Sequence, residues 1–117
     1  MKKIKVEIDG YQTVHSFDNG DGWRIGLISP AERITEEGMT YLERHNLTDE
    51  VFILLQGNAT LIIGEEKTYV PMETGILYNV EQSEWHHVLI EKDSIVAVVE
   101  NKGTSKENTE YMEFVSG

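Results

Sequence analysis

Residues 50–63 read EVFILLQGNATLII, and they give the clearest indication of the fold class. This stretch contains two short runs of aliphatic and β-branched residues, 50–56 and 59–63, and residues 56–58 (QGN) between them are typical of a tight hairpin link. Residues 64–66 (GEE) end the second run with another tight link. The stretch therefore predicts two consecutive β-strands, each bounded by turn residues.

Runs of the same kind recur along the chain. Residues 3–8 alternate strictly between polar and apolar side chains, which predicts a half-buried edge strand. Further runs that predict strands cover residues 23–29, 39–45, 67–71, 76–80, 85–91 and 94–100. Many short strands at regular spacing indicate an antiparallel sandwich or barrel. We therefore predict an all-β fold in a single domain spanning residues 1–117.

Two segments depart from this pattern. Residues 31–38 (AERITEEG) are compatible with a helical turn or two. Residues 102–117 are polar and charged, and they predict either a tail or a strand that closes over the barrel.

Composition narrows the classes of function. The formal net charge is −11, from 21 acidic and 10 basic residues, and such a surface repels nucleic acid and anionic lipid. No stretch approaches the roughly 20 apolar residues of a membrane span, and no apolar run follows the basic start of the chain. The chain has no cysteine, which excludes disulfides and sulfur-ligated zinc. We expect a soluble cytoplasmic protein that binds neither nucleic acid nor membrane.

The histidines indicate where a site would lie. On a strand, residues two apart share a face, so Tyr41, Glu43 and His45 are predicted to point the same way. Residues 46–49 (NLTD) form a predicted turn, which lets the next strand bring Glu50 back toward that face. Imidazole and carboxylate groups arranged in this way can hold a divalent metal ion.

These residues resemble the first motif of the cupin superfamily, G-x5-H-x-H-x3/4-E-x6-G. The chain has His45, four residues, Glu50, six residues and Gly57, which match the second His, the Glu and the closing Gly. The second cupin motif reads G-x5-P-x-G-x2-H-x3-N, and Gly75 and His86 match its first Gly and its His in register. The resemblance implies an antiparallel β-sandwich barrel, the cupin jelly roll.

The same resemblance implies a ligand set. The metal ligands of cupins fall on His45, Glu50 and His86, with Glu43 as a fourth ligand or as the hydrogen-bond partner of a ligand. If a metal is present, Glu43 is also our predicted catalytic group, which moves a proton. Zn, Ni, Mn and Fe are all compatible with such donors. Many cupins have lost the metal, so a site without one stays an alternative.

The chain departs from the motifs at several positions. Glu43 stands where the family has its first histidine, Glu81 and Ser83 replace Pro and Gly, and Ile90 replaces Asn.

Another register of the first motif would begin at Gly38. It would put Arg44 and Asn46 in the histidine positions, and it would leave no histidine facing inward. We therefore prefer the register that uses His45.

Three aromatic residues are predicted to lie beside the candidate ligands. Tyr41, Phe52 and Tyr78 are predicted to form the wall that contacts substrate. His15 has no partner in the pattern and is predicted to lie in a loop or at an edge.

His86 and His87 are adjacent, so only one of them can enter the barrel if both lie on one strand. The match from Gly75 puts His86 inside with Val88 and Ile90, and Trp85 and His87 on the outer face. Residues 85–89 also resemble the W-H-H-x-L stretch of ureidoglycolate lyases, which release glyoxylate and urea.

Taken together, these features predict a small cupin that binds a polar metabolite in the barrel mouth. A metal-assisted lyase or isomerase acting on a hydroxy acid, ureido acid or sugar derivative is one hypothesis. A non-catalytic metabolite-binding or dimeric module without metal is the other. We also predict a homodimer, because the alternating edge at residues 3–8 can pair with a second copy.

Overall fold

The computed structural model describes residues 1, 3–6, 10–16, 22–30, 32, 34–35, 37–38 and 41–113. This part of the chain contains ten strands and one short 3-10 helix. The strands are β1 (Gly10–Ser16), β2 (Trp23–Ser29), β3 (Tyr41–His45), β4 (Glu50–Gln56), β5 (Ala59–Ile63), β6 (Thr68–Pro71), β7 (Leu77–Val80), β8 (His86–Ile90), β9 (Ile95–Asn101) and β10 (Thr109–Glu113), and the 3-10 helix is Lys106–Asn108.

The strands form two five-stranded sheets that pack face to face. The first sheet has the order β1-β2-β9-β4-β7, and the second has the order β10-β3-β8-β5-β6. All pairings within the sheets are antiparallel. The predicted all-β antiparallel sandwich is therefore confirmed. Among the described residues, no helix is long and apolar enough to cross a membrane.

The predicted hairpin at residues 56–58 is wrong, because β4 and β5 belong to different sheets. The link is a corner that crosses the sandwich. Gly57 has φ +85°, and a Cβ atom there would lie 2.2 Å from Ser94 Oγ, at the neighbouring corner between β8 and β9. Ser94 Oγ accepts a hydrogen bond of 2.8 Å from the Asn58 amide. Glycine is needed at this corner because it combines a positive φ with a close approach.

The second predicted link, at residues 64–66, is a hairpin as expected. It joins β5 to β6, which pair with each other, and the Lys67 amide donates to the Gly64 carbonyl at 3.1 Å. Both strands next to this link begin or end within one residue of the prediction.

The first strand and the predicted helical turns differ from expectation. Residues 3–6 are mostly exposed and are not in a strand, and residues 7–9 lie outside the described residues. An alternating pattern forms a strand only where its apolar side can be buried, and the first strand among the described residues is β1. Ile34 makes a two-way backbone bridge with Ile90, so the chain is extended there rather than helical. The predicted homodimer through residues 3–8 stays a prediction.

The inner faces of the sheets are divided into an apolar end and a polar end. Along β4 the inward side chains are Glu50, Phe52 and Leu54, and along β8 they are His86, Val88 and Ile90. Each strand thus begins with a polar residue and continues with two core residues. The aliphatic and aromatic groups at the apolar end form one cluster, and each fully buried side chain there contributes about 1.5–3 kcal/mol. This core fixes the two sheets and so fixes the distance between the polar side chains at the other end.

Candidate functional site

A cavity of about 340 Å³ opens between the sheets at the polar end of the sandwich. The first sheet contributes Glu50 and Glu100 to its lining, and the second contributes Glu43, His45 and His86. Glu50 and His86 are almost completely buried, with 4% and 2% of their surfaces exposed. Glu50 therefore reaches the histidines from the facing sheet, and it is not on a hairpin partner of β3 as the sequence suggested.

The closest polar contact in the cavity joins His86 to Glu50. His86 Nε2 lies 2.6 Å from Glu50 Oε1, yet the two atoms do not meet in hydrogen-bonding geometry. Neither atom has a hydrogen-bond partner within the described part of the chain. The other ring nitrogen, His86 Nδ1, is 3.0 Å from the Glu84 carbonyl oxygen, which can only accept. Nδ1 therefore carries a proton, so whenever the ring is neutral the lone pair lies on Nε2 and faces the cavity.

His45 approaches the same point from β3. Its Nε2 is 3.4 Å from Glu50 Oε1 and 3.6 Å from Glu43 Oε1. Its Nδ1 is 2.9 Å from Thr109 Oγ1 on the adjacent strand β10. The ring centroids of His45 and His86 are 5.2 Å apart. Two imidazole nitrogens and two carboxylates thus converge on one region.

The charges of this cluster are mutually dependent. Burial acts to lower the pKa of His86, and the adjacent Glu50 carboxylate outweighs it, so the pKa of His86 is raised. Burial likewise acts to lower the pKa of His45, but Glu43 and Glu50 raise it above its ordinary value. Burial acts to raise the pKa of Glu43, and His45 more than offsets this, so the pKa is lowered. A metal-free cluster therefore favours imidazolium paired with carboxylate.

Glu100 also lines the cavity, although no sequence motif points to it. It is 6% exposed and lies at the end of β9, where Arg24 Nε donates to its Oε1 at 2.7 Å. Burial and the nearby Glu50 carboxylate raise the pKa of Glu100. In the sequence, Glu100 continues the alternating series of Val96 and Val98, which could have predicted that its side chain points inward. An exposed glutamate at the end of a strand would have the same spacing, so the spacing alone does not identify Glu100.

The C-terminal segment forms one wall of the cavity. After β9 the chain crosses to the second sheet, and Thr104, Ser105 and Lys106 line the opening. Strand β10 then pairs with β3 and adds Thr109 and Tyr111 to the lining. Of the two alternatives for residues 102–117, the closing strand is confirmed for 109–113, and residues 114–117 lie outside the described part.

A loop between β7 and β8 holds the two histidine strands together. The Ser83 amide donates to the His45 carbonyl at 2.9 Å, and Ser83 Oγ donates to Asn46 Oδ1 at 2.7 Å. Ser83 has φ +64°, in the position where the cupin motif has glycine. Asp49 accepts from the Gln82 amide at 2.8 Å on the same side. These contacts explain how a serine is tolerated in a conformation that glycine adopts readily.

The three predicted wall residues have different positions. Phe52 lines the cavity, and its ring lies 5.8 Å from that of His86. Tyr41 is not part of the cavity lining. Its ring centroid lies 5.2 Å from that of Tyr111 and 5.8 Å from that of His87. Tyr78 packs against the apolar core, and its hydroxyl accepts from the Glu73 amide at 2.7 Å. The structure therefore brings Phe52 to the site and does not bring Tyr78 there.

The residues beside His86 follow the predicted alternation only in part. Trp85 packs with Leu42 and Ile62 on the outer face of the second sheet, and Arg44 lies 4.5 Å over its ring. His87 is half-buried, and its Nδ1 accepts from the Val88 amide at 2.8 Å, but the residue also borders the cavity near Tyr41. Burial lowers the pKa of His87, which favours a neutral ring.

His15 lies in β1, the edge strand of the first sheet, as predicted.

The donor atoms fit a divalent metal ion. One candidate ligand group is Glu43, His45 and His86, and a second is His45, Glu50 and Glu100; within each group the donor atoms lie within 4.8 Å of one another. The unpartnered Glu50 Oε1 and His86 Nε2 point to the same conclusion, because buried polar atoms are otherwise almost always bonded. Mixed imidazole and carboxylate donors suit Zn, Mn, Fe and Ni alike, so the set does not identify the ion.

Comparisons with known proteins bear on the fold. No protein-family model matches the chain, and a search of curated proteins finds no match. Among solved structures, Pac13, described as a unique nucleoside dehydratase, gives a TM-score of 0.69 at 12% identity, over 99% of this chain and 94% of that chain. A Streptomyces PAC13 variant with uridine gives 0.66 at 11% identity, over 91% and 79% of the two chains.

A cupin-2 domain containing protein from Shewanella frigidimarina gives a TM-score of 0.57 at 14% identity, over 84% of this chain and 85% of that chain. At such identities a likeness shows the fold and not the activity. The resemblance to ureidoglycolate lyases is not shown by these comparisons and stays a prediction. Two antiparallel five-stranded sheets, a polar cavity between them and these structural neighbours agree with the two sequence motifs. The chain has the cupin fold.

Proposed function

We propose that the cavity binds a divalent metal ion and a small polar metabolite, and that the protein is a metal-assisted enzyme of the lyase or isomerase type. Its substrate would be a hydroxy acid, a ureido acid or a sugar derivative. The observation that carries the proposal is the convergence of His45, Glu50 and His86, with His86 Nε2 and Glu50 Oε1 2.6 Å apart and unpartnered among the described residues.

Different residues of the cavity would bind the metal ion, transfer a proton and exclude water. His45, Glu50 and His86 would hold the ion, which when bound acts as a Lewis acid on a carbonyl or carboxylate group. Glu43 is half-buried beside His45, and its Oε1 would accept or return a proton of the substrate. Phe52, Val88 and Val98 form apolar lining, which would limit the access of water to the reacting atoms.

The first experiment is a metal titration of the purified protein. Elemental analysis and calorimetric titration with Zn²⁺ and Mn²⁺ should give one ion per chain. Glu50→Gln should weaken binding by about 10- to 100-fold or more, judged from the size of effects on groups that only support ligands. Glu110→Gln is the matched control, because Glu110 is exposed and pairs with Arg44 outside the cavity. Failure of the wild-type protein to bind either ion would contradict the proposal.

The second experiment is a screen for the small molecule that binds in the cavity. The cavity volume of about 340 Å³ lies within the usual range for small-molecule sites. Because a structural neighbour binds uridine, nucleosides belong in the screen beside short hydroxy acids, ureidoglycolate and sugars. A true ligand should raise the melting temperature of the metal-loaded protein, and the increase should continue with the logarithm of ligand concentration above the Kd. Release of glyoxylate from ureidoglycolate would identify the lyase reaction, and its absence would retire that substrate.

A non-catalytic metabolite-binding cupin is the second candidate. It is favoured by the raised pKa values of His45 and His86, since imidazolium groups next to Glu50 would satisfy the cluster without an ion. Metal content separates the two candidates. A chain that stays metal-free after titration, and still binds a ligand from the screen, belongs to this second class.

A further inference from the structure

The hydroxyl of Thr109 lies between His45 and a backbone carbonyl in the C-terminal segment. Thr109 Oγ1 donates to the Ser105 carbonyl oxygen at 2.7 Å, and the same Oγ1 is 2.9 Å from His45 Nδ1. A carbonyl oxygen cannot donate, so the single hydroxyl proton is committed to Ser105. The hydroxyl oxygen can then only accept a hydrogen bond from His45 Nδ1.

This geometry decides the tautomer of His45. With the proton on Nδ1, the neutral ring presents the lone pair of Nε2 toward Glu43 and Glu50. His86 reaches the same state through a direct bond from Nδ1 to the Glu84 carbonyl. The two histidines are therefore oriented alike by different means, one from the loop before β8 and the other from the segment after β9.

The turn that carries the Ser105 carbonyl is itself well bonded. The Ser105 amide donates to Asn108 Oδ1 at 2.9 Å, and Asn108 Nδ2 donates to the Gly103 carbonyl at 2.9 Å. The Asn46 amide, next to His45, donates to the Asn108 carbonyl at 2.8 Å. Thr109 is also the direct register partner of His45 in the pair of β10 and β3. The acceptor for the hydroxyl is thus held in place relative to His45.

From these contacts we infer that Thr109 is a positioning residue that fixes the Nδ1–H tautomer of His45, so that Nε2 is free to bind a divalent cation. The inference rests on the proposed metal-binding function. It gives the segment from Gly103 to Thr109 a role in the site, where the sequence pattern gave it none. Supporting groups that orient ligand histidines in this way change metal affinity by about 10- to 100-fold when they are removed.

Two variants of Thr109 separate the hydroxyl from the shape of the side chain. Thr109→Val keeps the branched shape that suits a strand and removes the hydroxyl, whereas Thr109→Ser keeps the hydroxyl and removes a methyl group. Titration with Zn²⁺ alone should show affinity reduced by about 10-fold or more in Thr109→Val. Thr109→Ser should stay close to the wild type. Equal affinities in Thr109→Val and the wild type, with the fold intact, would overturn the inference.

A second measurement needs no metal. Long-range ¹⁵N–¹H spectra of the metal-free protein, taken at a pH where the imidazoles are neutral, report which ring nitrogen carries the proton. The wild type and Thr109→Ser should show His45 protonated at Nδ1, and Thr109→Val should shift His45 toward the other tautomer while His86 stays unchanged. His45 protonated at Nε2 in the wild type would overturn the inference. If the wild type shows the Nδ1–H tautomer but binds no Zn²⁺, the proposed function fails and the tautomer assignment stands.

Discussion

Glu50 Oε1 and His86 Nε2 lie 2.6 Å apart although they come from opposite sheets of the sandwich. Each sits at the start of an inward series that continues into the apolar core, so the core holds the two groups together. Neither of these two atoms has a hydrogen-bond partner among the described residues. Such a contact is stable when a proton or a cation lies between the two atoms.

The cation-bound state predicts different effects for two adjacent histidines. His86→Gln removes a nitrogen that points at Glu50, so Zn²⁺ affinity should fall by at least about 10- to 100-fold. His87→Gln should leave affinity nearly unchanged, because His87 Nδ1 is bonded to the Val88 amide. The measurement is a parallel Zn²⁺ titration of the two variants. Loss of binding in His87→Gln with retention in His86→Gln would mean that the wrong face of β8 has been assigned to the site.

The proton-bound state predicts how the stability of the metal-free protein varies with pH. The pKa values of His45 and His86 are raised in the folded state, so the stabilisation they provide is complete below the unfolded value of about 6.5. It is lost as the pH rises through their folded pKa values. The melting temperature of the metal-free protein should therefore decrease on the alkaline side of about pH 6.5.

At acid pH the stability of the metal-free protein should change in the opposite direction and fall as the pH is lowered. Glu43 has a lowered pKa, so its contribution is present above the ordinary carboxyl value and is lost as the pH falls through the folded value. Melting curves recorded with a chelator should show a maximum between the two regimes. In His86→Gln the alkaline decrease should be smaller, because that imidazole no longer titrates. A melting temperature that rises steadily with pH in the metal-free wild type would contradict this account.

Much of the fold could be predicted from local patterns, and the failures have a common physical cause. Residues 23–29, 50–56 and 59–63 were assigned with the bounds that the structure has, because alternation and turn residues are local properties. The same patterns do not reveal which strands are neighbours. A three-residue link between β4 and β5 suits a hairpin or a corner equally well, and only the sheet order identifies it as a corner.

In the site as well, local patterns predicted some residues, and residues that depend on strand order were not predicted. Motif spacing brought His45, Glu50 and His86 together correctly, since the spacing reflects a shared fold. Glu100 was missed because its approach to Glu50 depends on β9 lying beside β4, which no local pattern encodes. Tyr78 was assigned to the wall although its strand β7 is the outer neighbour of β4, where it covers the core.

The corner at Gly57 provides a stability prediction with an internal control. Gly57→Ala would suffer both from φ +85° and from a Cβ atom 2.2 Å from Ser94 Oγ, so we expect a loss of about 2–4 kcal/mol. Gly75→Ala has φ +87° but no atom within 4 Å of the new Cβ, so only the backbone cost of about 1–2 kcal/mol should apply. Urea unfolding of the two variants measures the difference. Equal losses would show that the Ser94 contact relaxes at no cost.

Arg24 neutralises the negative charge of Glu100 at the edge of the cavity. Arg24 Nε donates to Glu100 Oε1 at 2.7 Å, and Arg24 Nη2 donates to the Thr104 carbonyl at 3.0 Å. Arg24→Gln would leave a buried carboxylate close to Glu50 without its cation, and should cost about 1–3 kcal/mol. Glu100→Gln should cost less, because burial and Glu50 already raise the pKa of Glu100 and so disfavour its charge.

A double-mutant cycle by urea unfolding at neutral pH tests this account of Arg24 and Glu100. The double variant Arg24→Gln/Glu100→Gln should be more stable than Arg24→Gln alone, since removal of the unpaired carboxylate relieves the cost. Glu110→Gln is the control, because its pair with Arg44 lies outside the cavity and the Glu110 side chain is about half exposed. Such exposed pairs contribute little to stability. The account would be contradicted if Arg24→Gln and Glu100→Gln lowered the free energy of unfolding equally and their effects added up in the double variant. The Glu100 carboxylate would then not depend on Arg24, and Glu100 would have to be neutral in the folded protein.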